Sequence, residues 1–294
     1  MLYNIELMIN GLLVGALYAL IALGFVLIYK ASDIINFAQG EFVMFAGFIL
    51  AASLQTYGLP LYVAILLAVV GMTVLALLVN RLVLQYMIGR GVVSVIMATI
   101  GLAAFLQGTA GLFFGIDTKD VPLPISEEPI FLYDILLSPL ELYAALAAFV
   151  CIGLVSWFFI KSRIGIALRA IADDQQVSLA MGIDVKLYFA ISWCVAGLIA
   201  VVGGIVWGHL LGVDTQLALV GLKVFPVVIL GGLDSIIGAI VGGLIIGVVE
   251  SLAAGFLDPI VGGGTKDFTP YVLMIIVLMF RPYGLFGKAD IERV

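Results

Sequence analysis

Residues 8–29, 92–116, 142–160 and 187–213 each run without an Asp, Glu, Lys or Arg. A helix needs about 20 such residues to cross about 30 Å of hydrocarbon, so each run is long enough to be a span. A water-soluble domain carries charge on about 25% of its residues. Here 11% of 294 residues are charged, 64% are hydrophobic and the mean hydropathy is +1.28. The pattern predicts a polytopic helical membrane protein. The apolarity is continuous rather than alternating, which disfavours the strands of a transmembrane barrel.

Charge is confined to the connections, where Lys and Arg mark the cytoplasmic side. Arg81 and Arg90 flank one connection with no acid between them, residues 161–186 hold Lys161, Arg163, Arg169 and Lys186, and the C-terminal stretch holds Arg281, Lys288 and Arg293. Residues 116–141 set only Lys119 against Asp117, Asp120, Glu127, Glu128, Asp134 and Glu141. The first three regions are expected in the cytoplasm and the last outside it. The formal net charge of −6 therefore reports orientation, and nothing supports a nucleic-acid partner. The start, MLYNIELMINGLLVGALYAL, has no basic n-region or small-residue cleavage site and is expected to be a retained span.

Two interruptions stand out. After the first run, KASDIINFAQGE places Asn36, Gln39, Gly40 and Glu41 together; later, LGGLDS places Asp234 and Ser235 before another Gly-studded run. Residues 224–233, 235–249 and 268–280 are each too short to span alone. An external loop near Asp214 must nevertheless reach a cytoplasmic Arg281 in an odd number of crossings. The expected solution is that VFPVVILGGLDS dips in from outside and breaks near Gly231, Gly232 and Asp234, that SIIGAIVGGLIIGVV returns, and that the last piece crosses once. The fold expected is all-α: a polytopic transmembrane helical bundle with two broken or re-entrant segments, about eight membrane segments, and one transmembrane domain over residues 1–294 with a cytoplasmic loop at 161–186.

Irregular backbone at membrane depth is tolerated only against protein or a water-filled cavity. Asn36, Gln39 and Gly40 therefore either line a passage or gate, where amides offer donors and acceptors without charge, or bond between helices. Glu41, Asp234 and Glu250 either mark a pathway or sit at helix ends near the headgroups, a carboxylate at an N-terminus being stabilised by the dipole. His209, the only histidine, has no partner type for a metal or catalytic dyad and reads as a satisfied interfacial residue. Cys151 and Cys194 read as small core residues. Gly11/Gly15, Gly204/Gly208, Gly238/Gly242 and Gly243/Gly247 have the spacing of close helix packing.

In the loop KSRIGIALRAIADDQQVSLAMGIDVK, helical spacing puts Ile164, Leu168, Ile171, Ala172 and Leu179 on one face, with Arg169 and Asp173 opposite. Such a helix docks on a soluble partner or lies at the membrane surface. No GxxxxGK[ST] loop occurs, since GGGTKD at 262–267 has the wrong spacing, and GxSxG, HExxH and CxxC are also missing. An enzyme within the chain has little support, and no cofactor is expected in it.

GLLVGALYALIALGFVLIY, INFAQGE, GIALRAIADDQQVSLAMGI, VVILGGLDSIIGAIVGGLIIGVVES and RPYGLFG together resemble the permease subunits of branched-chain amino acid ATP-binding cassette (ABC) importers of the LivH type, in the family's order and over most of the chain. The resemblance implies a multi-pass protein of the bacterial inner membrane and partners: a second, LivM-like permease, two cytoplasmic ATPases that use ATP and Mg, and a periplasmic solute-binding protein. It implies that residues 169–183 couple to an ATPase, with Arg169, Ala170, Ala172, Asp173, Asp174, Ala180, Gly182 and Ile183 as the candidates and Gly182 ending the helix. Asn36, Gln39, Gly40, Glu41, Asp234 and Ser235 are the candidates for the translocation pathway. The family often has NFAHG where this chain has NFAQG, and Gly where Asp234 stands, so urea, short amides or other amino acids stay open as substrates beside Leu, Ile and Val. An ion-coupled carrier acting alone is the other class.

Overall fold

A computed structural model describes residues 2–87, 90–126, 128–132 and 135–287. Glu127, Asp134, Lys288 and Arg293 of the charge pattern lie outside the described residues. The helices, in chain order, are α1 Leu2–Ser32, α2 Gln39–Ala51, α3 Leu61–Leu82, α4 Val92–Phe114, α5 Pro139–Lys161, α6 Arg163–Asp173, α7 Gln175–Ala180, α8 Val185–Leu211, α9 Leu219–Gly231, α10 Ile236–Val261 and α11 Thr265–Phe280. Between α4 and α5, β1 Ile130–Leu132 and β2 Ile135–Leu137 form an antiparallel hairpin with Ile130 opposite Leu137. Among the described residues six helices, α1, α3, α4, α5, α8 and α10, are long and apolar enough to cross a membrane. The all-α polytopic bundle expected from the apolar runs is the fold observed, including both interruptions.

The long helices differ in what surrounds them. The apolar window of α1 is 83% buried, so its side chains meet protein on every side. That of α4 is 22% buried, and Phe105, Leu112 and Phe113 point outward from it. A helix that stays apolar on its exposed face is one made for lipid contact rather than water.

The chain divides into two compact units. The first comprises residues 1–26, 124–152 and 223–294. In it α1 and α10 cross at paired glycines: Gly11 lies against the backbone of Gly247 and Val248, and Gly15 against that of Gly243 and Leu244. A methyl group at any of these glycines would overlap backbone, so the small-residue spacing is a packing device. Gly238 and Gly242 serve α9 in the same way, abutting Gly231 and the Val227 carbonyl.

The course of the chain after α9 corrects the sequence expectation. The return leg does not stop at Val249; α10 continues through Glu250 to Val261, 26 residues, or about 39 Å at 1.5 Å per residue. The helix tolerates Glu250 because that side chain is only 5% exposed and accepts a hydrogen bond from the Tyr18 hydroxyl. At one end, Lys223 near the start of α9 pairs with Asp267 in the first turn of α11 at 2.6 Å. At the other, Leu285 and Phe286 beyond α11 donate backbone N–H groups to the carbonyls of Leu230 and Gly231. Asp258, near the end of α10, binds the Thr265 N–H at 2.9 Å and so closes the turn into α11. Hence α9 and α11 run parallel and α10 runs against both; of the three only α10 has membrane-spanning length, and α9, with 13 residues, stays as short as a re-entrant leg.

The second unit comprises residues 27–123 and 153–222. Its centre is α2, whose residues are nearly all buried although the helix has only 13. Phe42 meets Trp193 of α8 edge-on at 5.8 Å, and Phe48 stacks on Phe114 of α4 at 5.0 Å. Gly204 of α8 fits against Val43, Ala46 and Gly47 of α2. After Ala51 the helix widens into a π turn, Ala52–Thr56, and ends at an exposed Tyr57.

Candidate functional site

The first interruption is made by the residues singled out in the sequence. Asp33 ends α1 in the left-handed region at φ 53°, a conformation that Asp tolerates better than most residues. Asn36 then builds the turn: its Oδ1 accepts the Ala38 N–H at 3.0 Å, its carbonyl accepts the Gln39 N–H at 3.3 Å, and its Nδ2 donates to Gln39 Oε1 at 3.3 Å. Asn36 and Gln39 are 0% exposed. Ala38, the residue before α2, supplies no side-chain cap, so the Asn36 amide satisfies part of what a capping residue would.

Gly40 has a packing reason of its own. A Cβ there would collide with the Ala218 carbonyl, and a Cβ at Gly221 would in turn overlap the backbone of Gly40. The 3₁₀ turn Thr215–Ala218 that brings Ala218 in is capped by Asp214, whose Oδ1 accepts the Gln216 N–H at 2.8 Å. Beside these contacts, two buried polar atoms have no hydrogen-bond partner among the described residues: Gln39 Nε2 and Glu41 Oε2. A buried donor or acceptor left so costs about 1–3 kcal/mol. Glu41 sits in the first turn of α2, where the helix dipole favours a carboxylate.

The second interruption lies in the first unit. Ser235, not Asp234, caps α10: its Oγ accepts the Gly238 N–H at 3.0 Å. Asp234 is half-buried in the turn between the helices. The tail motif RPYGLFG, to which no role was given from sequence, closes this break. Gly284 adopts φ 77°, a Cβ at Gly232 would overlap the backbone of Gly287, and a Cβ at Gly287 would overlap the Tyr283 carbonyl. Only the three-way pairing of residues far apart in the chain reveals this, so no local signal could have found it.

The loop at 161–186 departs from the single helix expected. Asp174 breaks it into α6 and α7, accepting the Val177 N–H at 2.9 Å as cap of α7. Leu179 therefore leaves the face shared by Leu168 and Ile171 and is 54% exposed. The α6 face is not free for a partner, because Ile171 packs with Val185 and Phe189 of α8, and Ile183 joins them. Arg169, expected to point away, is half-buried and donates from Nη2 to the Ile160 carbonyl at 3.3 Å. Gly165 presses on the backbone of Phe159, and Ser162 caps α6 through the Gly165 N–H. Ala170 and Ala172 are half-buried, whereas Asp173 and Ala180 are exposed. Gly182 ends α7 as expected, at φ 84°, donating its N–H to the Leu179 carbonyl. The large apolar residues of the loop that stay exposed are Ile166 on α6, Val177 and Leu179 on α7, and Met181 just after it.

His209 is satisfied, as anticipated, with Nδ1 2.6 Å from the Val121 carbonyl, so Nδ1 carries the proton. Cys151 and Cys194 are free thiols.

Membrane-length helices, two interruptions closed by buried polar and glycine contacts, and a loop anchored at both ends describe a multi-pass helical membrane protein whose irregular backbone is held inside protein. The chain belongs to the family described as branched-chain amino acid transport system / permease component, whose profile matches residues 7–278. It is 29% identical to the high-affinity branched-chain amino acid transport system permease protein BraD of Pseudomonas aeruginosa, over 99% of this chain and 98% of that one. It is 30% identical to the probable branched-chain amino acid transport permease protein LivH of Methanocaldococcus jannaschii, over 95% and 91%. Among solved structures, PsaBC from Streptococcus pneumoniae in complex with Fab aligns over 92% of this chain and 90% of that one, with a TM-score of 0.46 and 14% identity.

Proposed function

We propose that this chain is the membrane-embedded permease subunit of an ABC importer that carries leucine, isoleucine and valine into the cell. The observation that carries this reading is the family match over residues 7–278, together with relatives whose names specify branched-chain amino acid transport. In this reading the chain works as one transmembrane domain with a second, LivM-like permease, two cytoplasmic ATPases and a periplasmic solute-binding protein. The ATPases hold the ATP and Mg, and no cofactor or catalytic residue belongs to this chain.

The loop supports a lever mechanism. Because α6 is locked to α8 through Ile171, Val185 and Phe189 and to the end of α5 through Arg169, a push on α7 moves both long helices as a body. ATP-driven approach of the ATPases, bearing on Val177, Leu179 and Met181, would tilt α5 and α8 and alternate access to the passage. Asn36, Gln39, Gly40 and Glu41 from the first interruption, and Asp234 and Ser235 from the second, are assigned to that passage. The unpartnered Gln39 Nε2 and Glu41 Oε2 supply polar groups that a passing solute or water could meet without tight binding.

Reconstitution tests the reading. Vesicles holding the chain with its permease partner, ATPases and binding protein should accumulate leucine only with ATP, and vesicles holding the chain alone should take up nothing. Uptake by the chain alone along an ion gradient would replace this reading with a secondary carrier; ATP-driven uptake of urea or short amides in place of leucine would keep the class and change the substrate.

A further inference from the structure

Lys223 is the one charged residue in α9, and two carboxyl groups of the first unit lie around it. Its Nζ pairs with Oδ1 of Asp267 in α11 at 2.6 Å, and both side chains stand partly in the open, 41% and 71% exposed. The other carboxyl is that of Glu250 in α10, which is buried; its Oε1 accepts the bond from Tyr18, and its Oε2 has no partner among the described residues. Helix register relates the two. Gly242 of α10 abuts the Val227 carbonyl of α9, and because the helices are antiparallel, one turn on along α10 and one turn back along α9 bring Ile246 level with Lys223. Glu250 lies one turn further, and helical side chains lean toward their own N-terminus, so its carboxyl group leans to the level of Lys223. Lys223, Lys266 and Asp267 are the charged groups whose fields reach Glu250, and Tyr18 is the titratable group bonded to it.

Lysine carries a point charge on a flexible four-carbon stem, so one lysine between two carboxyl groups has two places to bind. An exposed ion pair is worth little, whereas a buried oxygen without a partner is costly. Moving inward strips Lys223 of water, and a bond to the open Oε2 offsets that loss. We propose that Lys223 is a two-position switch, bound to Asp267 in the arrangement seen here and to Oε2 of Glu250 in a second one, and that the exchange tilts α9. The backbone allows the movement. Pro226 leaves the first turn of α9 with one hydrogen bond fewer, and α11 hangs from Gly262, Gly263 and Gly264, at φ 95°, 111° and 84°, with open space around each. Gly231 stands at the far end of α9, about 12 Å from Lys223 along the helix, so a tilt moves the turn that carries Asp234 and Ser235. Placing the exchange in a transport cycle rests on the function proposed above, whereas the exchange itself rests on the three side chains.

The test is the reactivity of the Lys223 amine toward a water-soluble acetylating reagent, read residue by residue by mass spectrometry. In the full chain in detergent, Lys223 should label readily. Asp267→Asn removes the outer partner, so Lys223 should turn to Glu250 and label about fivefold less or lower still, the scale of a modest coupling between two states. A lysine that had merely lost a salt bridge would label more. Adding Glu250→Gln to Asp267→Asn should bring labelling back to the wild-type level. In the complete complex, ATP with orthovanadate should protect Lys223 in the wild type and not in Glu250→Gln. Should Glu250→Gln not assemble, Asp267→Asn, at an exposed residue, decides alone. Labelling of Lys223 in Asp267→Asn equal to or above that of the wild type overturns the switch, as does protection that persists in the double variant. Protection in Asp267→Asn with no change on adding ATP and orthovanadate overturns the place of the exchange in a transport cycle. A complex that imports nothing with ATP would refute the transport reading and leave the Asp267→Asn result standing.

Discussion

The Tyr18 hydroxyl of α1 donates a hydrogen bond to Oε1 of Glu250 in α10 at 3.1 Å, and both side chains are buried. One tyrosine thus lets a carboxyl group sit inside a helix of membrane length. Glu250 Oε2 has no partner among the described residues, so the Tyr18 bond is what offsets its burial. Tyr18→Phe should lower stability by about 1–3 kcal/mol, and Glu250→Gln, which keeps an acceptor for the hydroxyl, by less. Thermal melts in detergent check this. The double change Tyr18→Phe with Glu250→Leu should cost less than the two single changes added, because it removes both ends together; strict additivity would mean the pair is not coupled.

The glycine pairs make a second comparison. At Gly247 a Cβ would overlap the Gly11 carbonyl and the Gly15 backbone, and at Gly243 it would overlap the Gly15 carbonyl. Gly247→Leu should force α1 from α10 and cut the yield of folded protein severalfold, since overpacking costs about 1–3 kcal/mol or more. Gly101, Gly108 and Gly111 in α4 have open space where a Cβ would go. Alanine at each of these should be neutral or raise stability by about 0.5–1 kcal/mol. Size-exclusion yield and melting temperature separate the two groups, and equal damage in both would show that the close approach does not matter.

Much of this architecture was legible because membrane burial writes itself into composition. The four uncharged runs became α1, α4, α5 and α8, and both breaks fell at the polar clusters that mark them. What stayed illegible depended on contacts between distant residues. Counting apolar residues ended the return leg before Glu250, since nothing near that residue announces that Tyr18 will accommodate it. Helical spacing put Leu179 on the face of Leu168 because periodicity carries no sign of the Asp174 cap, although an Asp before Gln-Gln-Val is a local start signal that could have been read. The buried face of the loop was visible, but its cover is the chain's own α8, which only Val185 and Phe189 in three dimensions disclose.

The amide cluster at the first break yields a split between fold and function. Gln39→Leu removes one bond to Asn36 and also a buried nitrogen that lacks a partner, so assembly with the other subunits should survive while uptake falls about tenfold or more. Asn36→Leu also strips the Ala38 N–H of its acceptor and should cost about 1–3 kcal/mol in addition, whereas Asn36→Asp keeps that acceptor and should recover the stability. Measuring assembly and uptake side by side decides the matter. Normal uptake by an assembled Gln39→Leu complex would reduce these amides to structural glue.

Gly182 tests the coupling loop. At φ 84° it has no neighbour that a side chain would strike, so the difficulty for other residues is backbone alone, about 1–2 kcal/mol for a residue forced into the left-handed region. Gly182→Val, being β-branched, should distort the end of α7 and shift Leu179 and Met181, uncoupling ATP hydrolysis from uptake without loss of membrane insertion. Gly182→Asn tolerates the same backbone and should keep most coupling. The ratio of ATP hydrolysed to leucine imported is the readout; an unchanged ratio in the valine variant would count against α7 as the contact with the ATPase.

The tail motif offers the sharpest structural test, because its effect is carried by main chain rather than by side chains. The N–H groups of Leu285 and Phe286 bind the Leu230 and Gly231 carbonyls at 2.8 and 3.0 Å. These carbonyls end α9 at the break, where no further helical turn can satisfy them. A chain stopped after Tyr283 loses both bonds and should be less stable by about 2 kcal/mol, with faster hydrogen exchange at the break; a chain stopped after Gly287 keeps both. Gly284→Ala should resemble the shorter truncation, since Gly284 holds φ 77° and crowds the Ile229 carbonyl and Gly232. If the chain ending at Tyr283 melted with the one ending at Gly287, α9 would have to end unsupported, and the antiparallel arrangement of α10 against α9 and α11 would lose the contact that fixes their directions.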